Sequence, residues 1–181
     1  PIDGNRPRTT YSGHGEISDV CIKRKIRNRL QDMGESIFVQ SAEKTDDEFK
    51  SLSDRASGTI TSYSSTDDYA EQACAKWIDV RSFGQVFAYK SKKEKGAGVS
   101  VGVRGPVTLH QALSVSPVDV STMQITKSVN SETTSDGGKS SDTMGSKHMV
   151  AFGLYVIKGS INVQLAEKTK FSEEDAEKIK E

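Results

Sequence analysis

The sequence predicts an α+β fold on three observations. Apolar residues recur at helical spacing up to about residue 82, apolar and polar residues alternate over much of the remainder, and a well-capped helical segment closes the chain. The 181 residues suffice for one domain with a real core, or one domain carrying a sizeable insertion.

Residues 1–17 are rich in glycine, proline and arginine, and Gly4, Pro7, Gly13 and Gly15 predict a loop without regular structure. The first helix follows. Ser18 is a fitting N-cap, Asp19 complements the positive end of the helix dipole, and Gly34 terminates the run. Ile22, Ile26, Leu30 and Met33 mark its buried face, whereas Lys23 and Arg27, also four apart, share a neighbouring stripe. Residues 41–66 are polar and predict a short helix over 46–55, then a Ser/Thr-rich loop. From Thr66 a second helix presents Tyr69, Ala73 and Trp77 at four-residue spacing.

The character then changes to strand. Residues 84–89 form one, and Val99, Val101 and Val103 alternate with Ser100, Gly102 and Arg104. That alternation places Arg104 on the non-core face, beside side chains small enough for another backbone to approach. An exposed strand with a solvent arginine accounts for the same pattern. Residues 120–129 predict a further strand, and 130–145 a mobile Ser/Thr/Asp/Gly segment whose one sizeable apolar side chain is Met144. The apolar run 149–157 predicts a central strand buried on both faces; with 120–129 it frames an extended hairpin arm. Ile161, Val163 and Leu165 alternate with Ser160, Asn162 and Gln164, a strand with one wet face. Ser172, with Asp175 at the capping-box position, opens the last helix.

Only 34% of the residues are hydrophobic, which marks a polar protein with long solvated segments. No apolar run approaches the ~20 residues that span a bilayer and no signal-peptide pattern opens the chain, so no membrane contact and a cytoplasmic address are expected. The chain opens on Pro1 and stops at Glu181 within a helical pattern, and reads as incomplete at both ends. Cys21 and Cys74, far apart and without CxxC spacing, read as small buried residues in a reducing compartment. Net charge is zero, yet the signs separate. Lys23, Arg24, Lys25, Arg27 and Arg29 have no acid among them, and acids gather over 41–54 and in the last ten residues. Such segregation suits a surface attracting a polyanion in one place, or copies that stack positive on negative; a solvated surface has the same look.

Catalytic chemistry finds little footing. His14, His110 and His148 form no HxH, HExxH or CxxC…H pattern, and no nucleophile elbow or P-loop is present, so neither a metal nor another cofactor is expected. His14, in a Gly-flanked loop beside the basic helix, has the chemistry of a general base for metal-free RNA cleavage, and equally that of a loop histidine with ordinary hydrogen bonds. The adjacent pairs Asp46–Asp47 and Asp67–Asp68 do not converge on one ion and read as partners of helix N-termini.

Four stretches in order carry a resemblance: Gly4-Asn5-Arg6-Pro7-Arg8 with Gly13-His14-Gly15; the run from Ser18 to Asn28; Val103-Arg104-Gly105-Pro106-Val107; and Thr143 to Val150 leading into Phe152-Gly153-Leu154-Tyr155. Together they resemble the CRISPR-associated Cas-seven backbone family of the RAMP superfamily, in its Csd-type, type I-C Cascade branch. The resemblance implies an RRM-like (ferredoxin-like) palm with an antiparallel sheet over residues 1–34 and 83–181. It also implies a helical finger insertion over 35–82 and a β-hairpin thumb over about 120–150, with flanking palm strands outside this chain. It further implies a non-catalytic subunit that binds guide (cr)RNA, stacks with neighbouring copies into a helical filament and works with other Cascade subunits for bacterial antiviral defence. The target DNA strand pairs with that guide. RNA contacts are then expected at Lys23, Arg24, Arg27, Arg104, Lys147, His148, Arg6, Arg8 and His14, and thumb contacts at Lys127, Lys139 and Met144. An endoribonuclease of the same superfamily, cutting with His14 or with Asp3 in an acidic loop, is the competing expectation.

Overall fold

A computed structural model describes residues 4–90, 98–126 and 144–181, and internal contacts divide the chain into two units. One comprises residues 1–18 and 111–157, the other residues 19–110 and 158–181. In chain order the elements are β1 (Arg8–Thr9), β2 (His14–Ile17), α1 (Asp19–Asp32), a 3-10 turn (Ala42–Lys44), α2 (Leu52–Thr59), α3 (Thr66–Lys76) and α4 (Ile78–Phe83). There follow β3 (Gln85–Lys90), β4 (Gly98–Val103), β5 (Val107–Leu109), β6 (Ala112–Pro117), β7 (Val120–Thr126) and β8 (Met144–Val150). The last are β9 (Tyr155–Val156), β10 (Gly159–Ile161), α5 (Val163–Thr169) and α6 (Glu173–Lys180). Helices combine with antiparallel strands throughout, as an α+β chain requires.

In the first unit four strands form an antiparallel sheet in the order β1-β2-β6-β9. The opening residues thus form a hairpin, not the irregular loop expected from their glycines. Gly13 supplies the turn at φ +81°, and the Thr10 N–H donates to the His14 carbonyl at 2.7 Å. Gly15 fits inside β2 because the Tyr155 ring lies over it: a Cβ there would stand 2.3 Å from the Tyr155 hydroxyl oxygen. On the strand between them, buried Ser114 accepts from the Gly15 N–H at 2.8 Å and donates to the Ser116 carbonyl at 2.6 Å.

β7 and β8 pair from Val120↔Val150 to Thr126↔Met144, so the strand expected over 120–129 does find an antiparallel partner, but that partner is Met144–Val150, which begins within the segment expected to be mobile, and not the run 149–157. Residues 127–129 of that predicted strand, and 130–143 of the predicted mobile segment, lie outside the described residues. The apolar run 149–157 is not a central buried strand. It divides between the end of β8 and the two-residue β9, with Phe152 83% and Leu154 65% exposed. A continuous apolar run carries no periodicity from which burial can be read.

In the second unit α1 buries Ile22 and Leu30 as predicted, and Leu30, Ile37 and Ile78 form a core with Ile26, Met33 and Ile179 packed against it. Gly34, at φ +88°, ends the helix in a Schellman motif: its N–H donates to the Gln31 carbonyl, and that of Glu35 to the Leu30 carbonyl, both at 3.0 Å. A larger aromatic core gathers Phe38, Tyr69, Trp77 and Phe87, with Phe38 centred 4.7 Å from Trp77 and 5.1 Å from Phe87. Residues 35–82 therefore share one core with β3 and β4. The helix expected over 46–55 starts later, because Ser51 accepts from the Asp54 N–H at 3.0 Å and fixes the N-terminus of α2. Asp46 and Asp47 consequently serve side-chain donors, Gln31 and Gln40 for the first and Arg55 for the second, not a helix end.

The strand expected at Ile161, Val163 and Leu165 is also corrected. The Asn162 carboxamide oxygen accepts from the Leu165 N–H at 3.0 Å, so β10 stops at Ile161 and α5 begins. α6 starts where the sequence places it, with both capping-box bonds between Ser172 and Asp175 present. Cys74 is buried as expected, but Cys21 is exposed because the buried stripe of α1 begins one residue later at Ile22. Among the described residues no helix is long and apolar enough to cross a membrane.

Candidate nucleic-acid interface

The basic helix α1 does not present its cations as one free stripe. Arg27 turns inward, its Nε donating to Asp79 at 2.9 Å, with the guanidinium carbon 5.1 Å from the centre of the Phe83 ring. Only 13% of that side chain is exposed. Asp79 is 1% exposed and also accepts from the Phe38 N–H at 2.7 Å and the Val39 N–H at 3.1 Å. Arg27 is therefore the counter-charge of a buried carboxylate that fixes the chain after Ile37. Arg24 donates to the Val39 carbonyl at 2.7 Å, and burial, then repulsion from Arg27, pulls its guanidinium below its ordinary pKa. Lys23 and Arg27, expected on one stripe and both in contact with RNA, thus differ in burial and partner.

The remaining α1 cations stay at the surface. Lys23 pairs with Asp19 one turn earlier at 3.1 Å, a partly exposed contact that opens at little cost. Arg29 meets Glu181 at 3.5 Å with more than half of each side chain exposed. Lys25 is exposed and, among the described residues, pairs with no acid. Sequence spacing ranked it below Lys23 and Arg27; the signal was there in its position off the Ile22–Ile26–Leu30 stripe.

Arg104 is placed by a close backbone crossing. A Cβ on Gly105 would stand 2.3 Å from the Ser82 carbonyl and 2.4 Å from the Gly84 nitrogen, and one on Gly84 would stand 2.4 Å from the Val103 carbonyl. Gly84 adopts φ +80°, so both glycines are demanded where the α4–β3 turn meets the chain leaving β4. Pro106 is buried, and Arg104 alone of this motif points to solvent. Beside it the outward row of the β3–β4 ribbon pairs Val86 with Gly102 and Ala88 with Ser100, side chains of low profile that keep the main chain accessible.

In the first unit Arg6 and Arg8 are exposed beside and on β1. His14 is half-buried on β2; its Nδ1 lies 3.1 Å from the Ser12 hydroxyl and its N–H donates to Thr10 Oγ1 at 3.0 Å. On the hairpin, Lys147 is exposed and His148 shares a 2.9 Å hydrogen bond with Thr122 across the strands. These two residues are neighbours on β8 and so face opposite sides. Met144 is exposed, and its sulfur accepts from the Gln124 amide at 2.9 Å. Lys127, Lys139 and Asp3 lie outside the described residues. Among the described residues no cluster of three or more His, Cys, Asp or Glu side chains is arranged to hold a metal ion.

Comparison with known proteins gives these features a context. A family model described as CRISPR-associated protein Cas7 matches residues 1–181. A CRISPR-associated protein Cas7 of Haloferax volcanii is 26% identical over 192 residues, covering 99% of this chain and 56% of the relative. A solved chain described as a CRISPR RNA-guided surveillance complex, pre-nicking, superposes with a TM-score of 0.55 at 16% identity, covering 98% of this chain and 63% of that one. At that identity the likeness is one of fold. The chain spans less than two thirds of the length of either protein. With a match that runs from its first residue to its last, the chain belongs to the CRISPR-associated protein Cas7 family.

Proposed function

We propose that this chain is a non-catalytic backbone subunit of a CRISPR surveillance complex of the Cascade type, and that it holds guide RNA by its sugar-phosphate chain. The observation that carries this reading is the family match along the whole chain. The geometry supports it at Arg104, which a glycine-dependent crossing holds clear of the fold next to a low-profile strand face. A polynucleotide backbone needs such a site, a cation with nothing bulky beside it, and no base edge is read in the process. Exposed Lys25, Arg6, Arg8 and Lys147, with half-buried Lys23, supply further charge, whereas Arg24 and Arg27 are structural.

The finer expectations belong to the same proposal: the type I-C branch, an RRM-like palm, a thumb formed by β7 and β8, and stacking of copies along the RNA that leaves the guide free to pair with a target DNA strand. Bacterial origin and a cytoplasmic address go with them. His14, with its main-chain N–H on Thr10 and its ring Nδ1 beside Ser12, helps to shape the β1–β2 turn, and this reading gives it no part in cutting RNA.

The test is RNA binding as a function of salt. Replacing Lys25 and Arg104 together by alanine removes two phosphate contacts, and each contact to a single strand contributes roughly 0.7 to the slope of log K against log salt. The double variant should therefore bind more weakly whatever the RNA sequence, with the slope flatter by roughly 1 to 1.5. An unchanged slope would remove both residues from the interface, and specific cleavage of a labelled repeat RNA that disappears in His14→Ala would replace the reading with a nuclease.

A further inference from the structure

Three of the four methionines in this chain, Met123, Met144 and Met149, sit on the β7–β8 hairpin, and all three are exposed, at 46%, 59% and 38%. The fourth, Met33, packs against the core of Leu30, Ile37 and Ile78. Register sorts the hairpin side chains by face. Ser121↔Met149, Met123↔Lys147 and Ile125↔Gly145 share one side, whereas Thr122↔His148, Gln124↔Ser146 and Thr126↔Met144 share the other. Met123, Ile125 and Met149 therefore make one side apolar, with Lys147 among them. The opposite side carries the Thr122–His148 bond and the Gln124 amide on the Met144 sulfur.

From this arrangement we propose that the hairpin is a reversible methionine-oxidation site, at which a peroxide converts Met123 and Met149 to sulfoxides ahead of Met33. A thioether sulfur attacks the nearer peroxide oxygen with its lone pair, the O–O bond breaks, and water leaves with the second oxygen. The sulfur is oxidised by two electrons and the peroxide reduced by two. Access to the sulfur sets the rate, and both side chains are exposed on the same face of the ribbon. Each sulfoxide replaces an apolar end by a polar S=O acceptor within reach of the Lys147 ammonium, so the modification converts the apolar face of the hairpin into a polar one. The assignment holds whether or not the chain binds RNA.

The experiment treats the native full chain with hydrogen peroxide, quenches at intervals, and follows the gain of one oxygen at each methionine by peptide mass mapping. Met123 and Met149 should oxidise roughly tenfold faster than Met33, and denaturation in urea should bring the rates together, since the fold alone separates them. Sulfoxide reductases specific for the two epimers should then restore the native mass at both positions. Met33 reacting as fast as Met123 and Met149 in the native chain would overturn the proposal, and sulfoxides that resist both reductases on the folded chain would overturn its reversibility. In Met123→Leu with Met149→Leu, the remaining rapid uptake should be confined to Met144; rapid oxidation of Met33 in that variant would also overturn the proposal.

Discussion

Removing Asp79 is the sharpest test of the buried ion pair. Its carboxylate is 1% exposed and accepts from Arg27 and from the N–H groups of Phe38 and Val39. Asp79→Ala strands a largely buried guanidinium and two main-chain donors. A buried donor left unpaired costs about 1 to 3 kcal/mol, and breaking a buried pair from one side about 3 to 5 kcal/mol. These costs overlap, because the guanidinium keeps its place over Phe83 and Val39 is only half-buried, so a loss of about 4 kcal/mol is expected. Asp79→Asn keeps one acceptor and should lose about half as much. Trp77 is the sole tryptophan and lies 2% exposed in the same core, so its fluorescence in urea reads this unit alone. With a urea slope of about 2 kcal/mol per molar, the alanine variant should unfold about 2 M earlier. A shift below about 0.5 M would refute the assigned role. So would an Arg27→Met variant that loses RNA affinity while keeping its stability, since that returns Arg27 to the interface.

Gly105→Ala forces a Cβ into the Ser82 carbonyl and the Gly84 nitrogen, and should cost about 3 kcal/mol by the same fluorescence measurement, against little for Gly102→Ala, where the space is open. The hydrogen bonds from Arg55 hold the Asp47 carboxyl below the usual carboxylate range. Burial pushes the Asp175 carboxyl up, but its bonds to Arg81 and Ser172 outweigh this and leave it low as well. Carboxyls depressed in the folded state stabilise fully above their unfolded pKa and lose that contribution as pH falls through the folded one. The urea midpoint should therefore drop below about pH 4, and less steeply in Asp47→Asn. Burial pushes the Cys74 thiol up to about 11. Iodoacetamide at mildly alkaline pH should therefore alkylate exposed Cys21 and leave Cys74 untouched until the chain unfolds, as peptide mass mapping reads out.

Where the sequence was legible, a local rule and the packing agreed. The α1 stripe of Ile22, Ile26 and Leu30, the Gly34 stop, the Tyr69–Ala73–Trp77 face, and the Ser172–Asp175 box each depend on neighbours within a turn or two. Two of the misreadings share a cause, a distant or competing partner. Gly15 looks like a breaker until Tyr155, far along the chain, covers it. Ile161, Val163 and Leu165 alternate like a strand, yet one side-chain oxygen on Asn162 starts a helix there. At the candidate interface, Arg104 could be placed from the alternation of β4, but the fate of Arg27 could not, because its partner Asp79 lies 52 positions away.

The β7–β8 ribbon has a thermodynamic consequence. Two strands paired only with each other are marginal in water. Exposure rises along this pair from half-buried Val120 and Val150 to exposed Thr126 and Met144, so the ladder should fray inward from its far end. Whatever surface the arm finally lies on must supply part of its order. Free energy consumed in ordering the arm is withheld from affinity, so a contact made through it is readily undone.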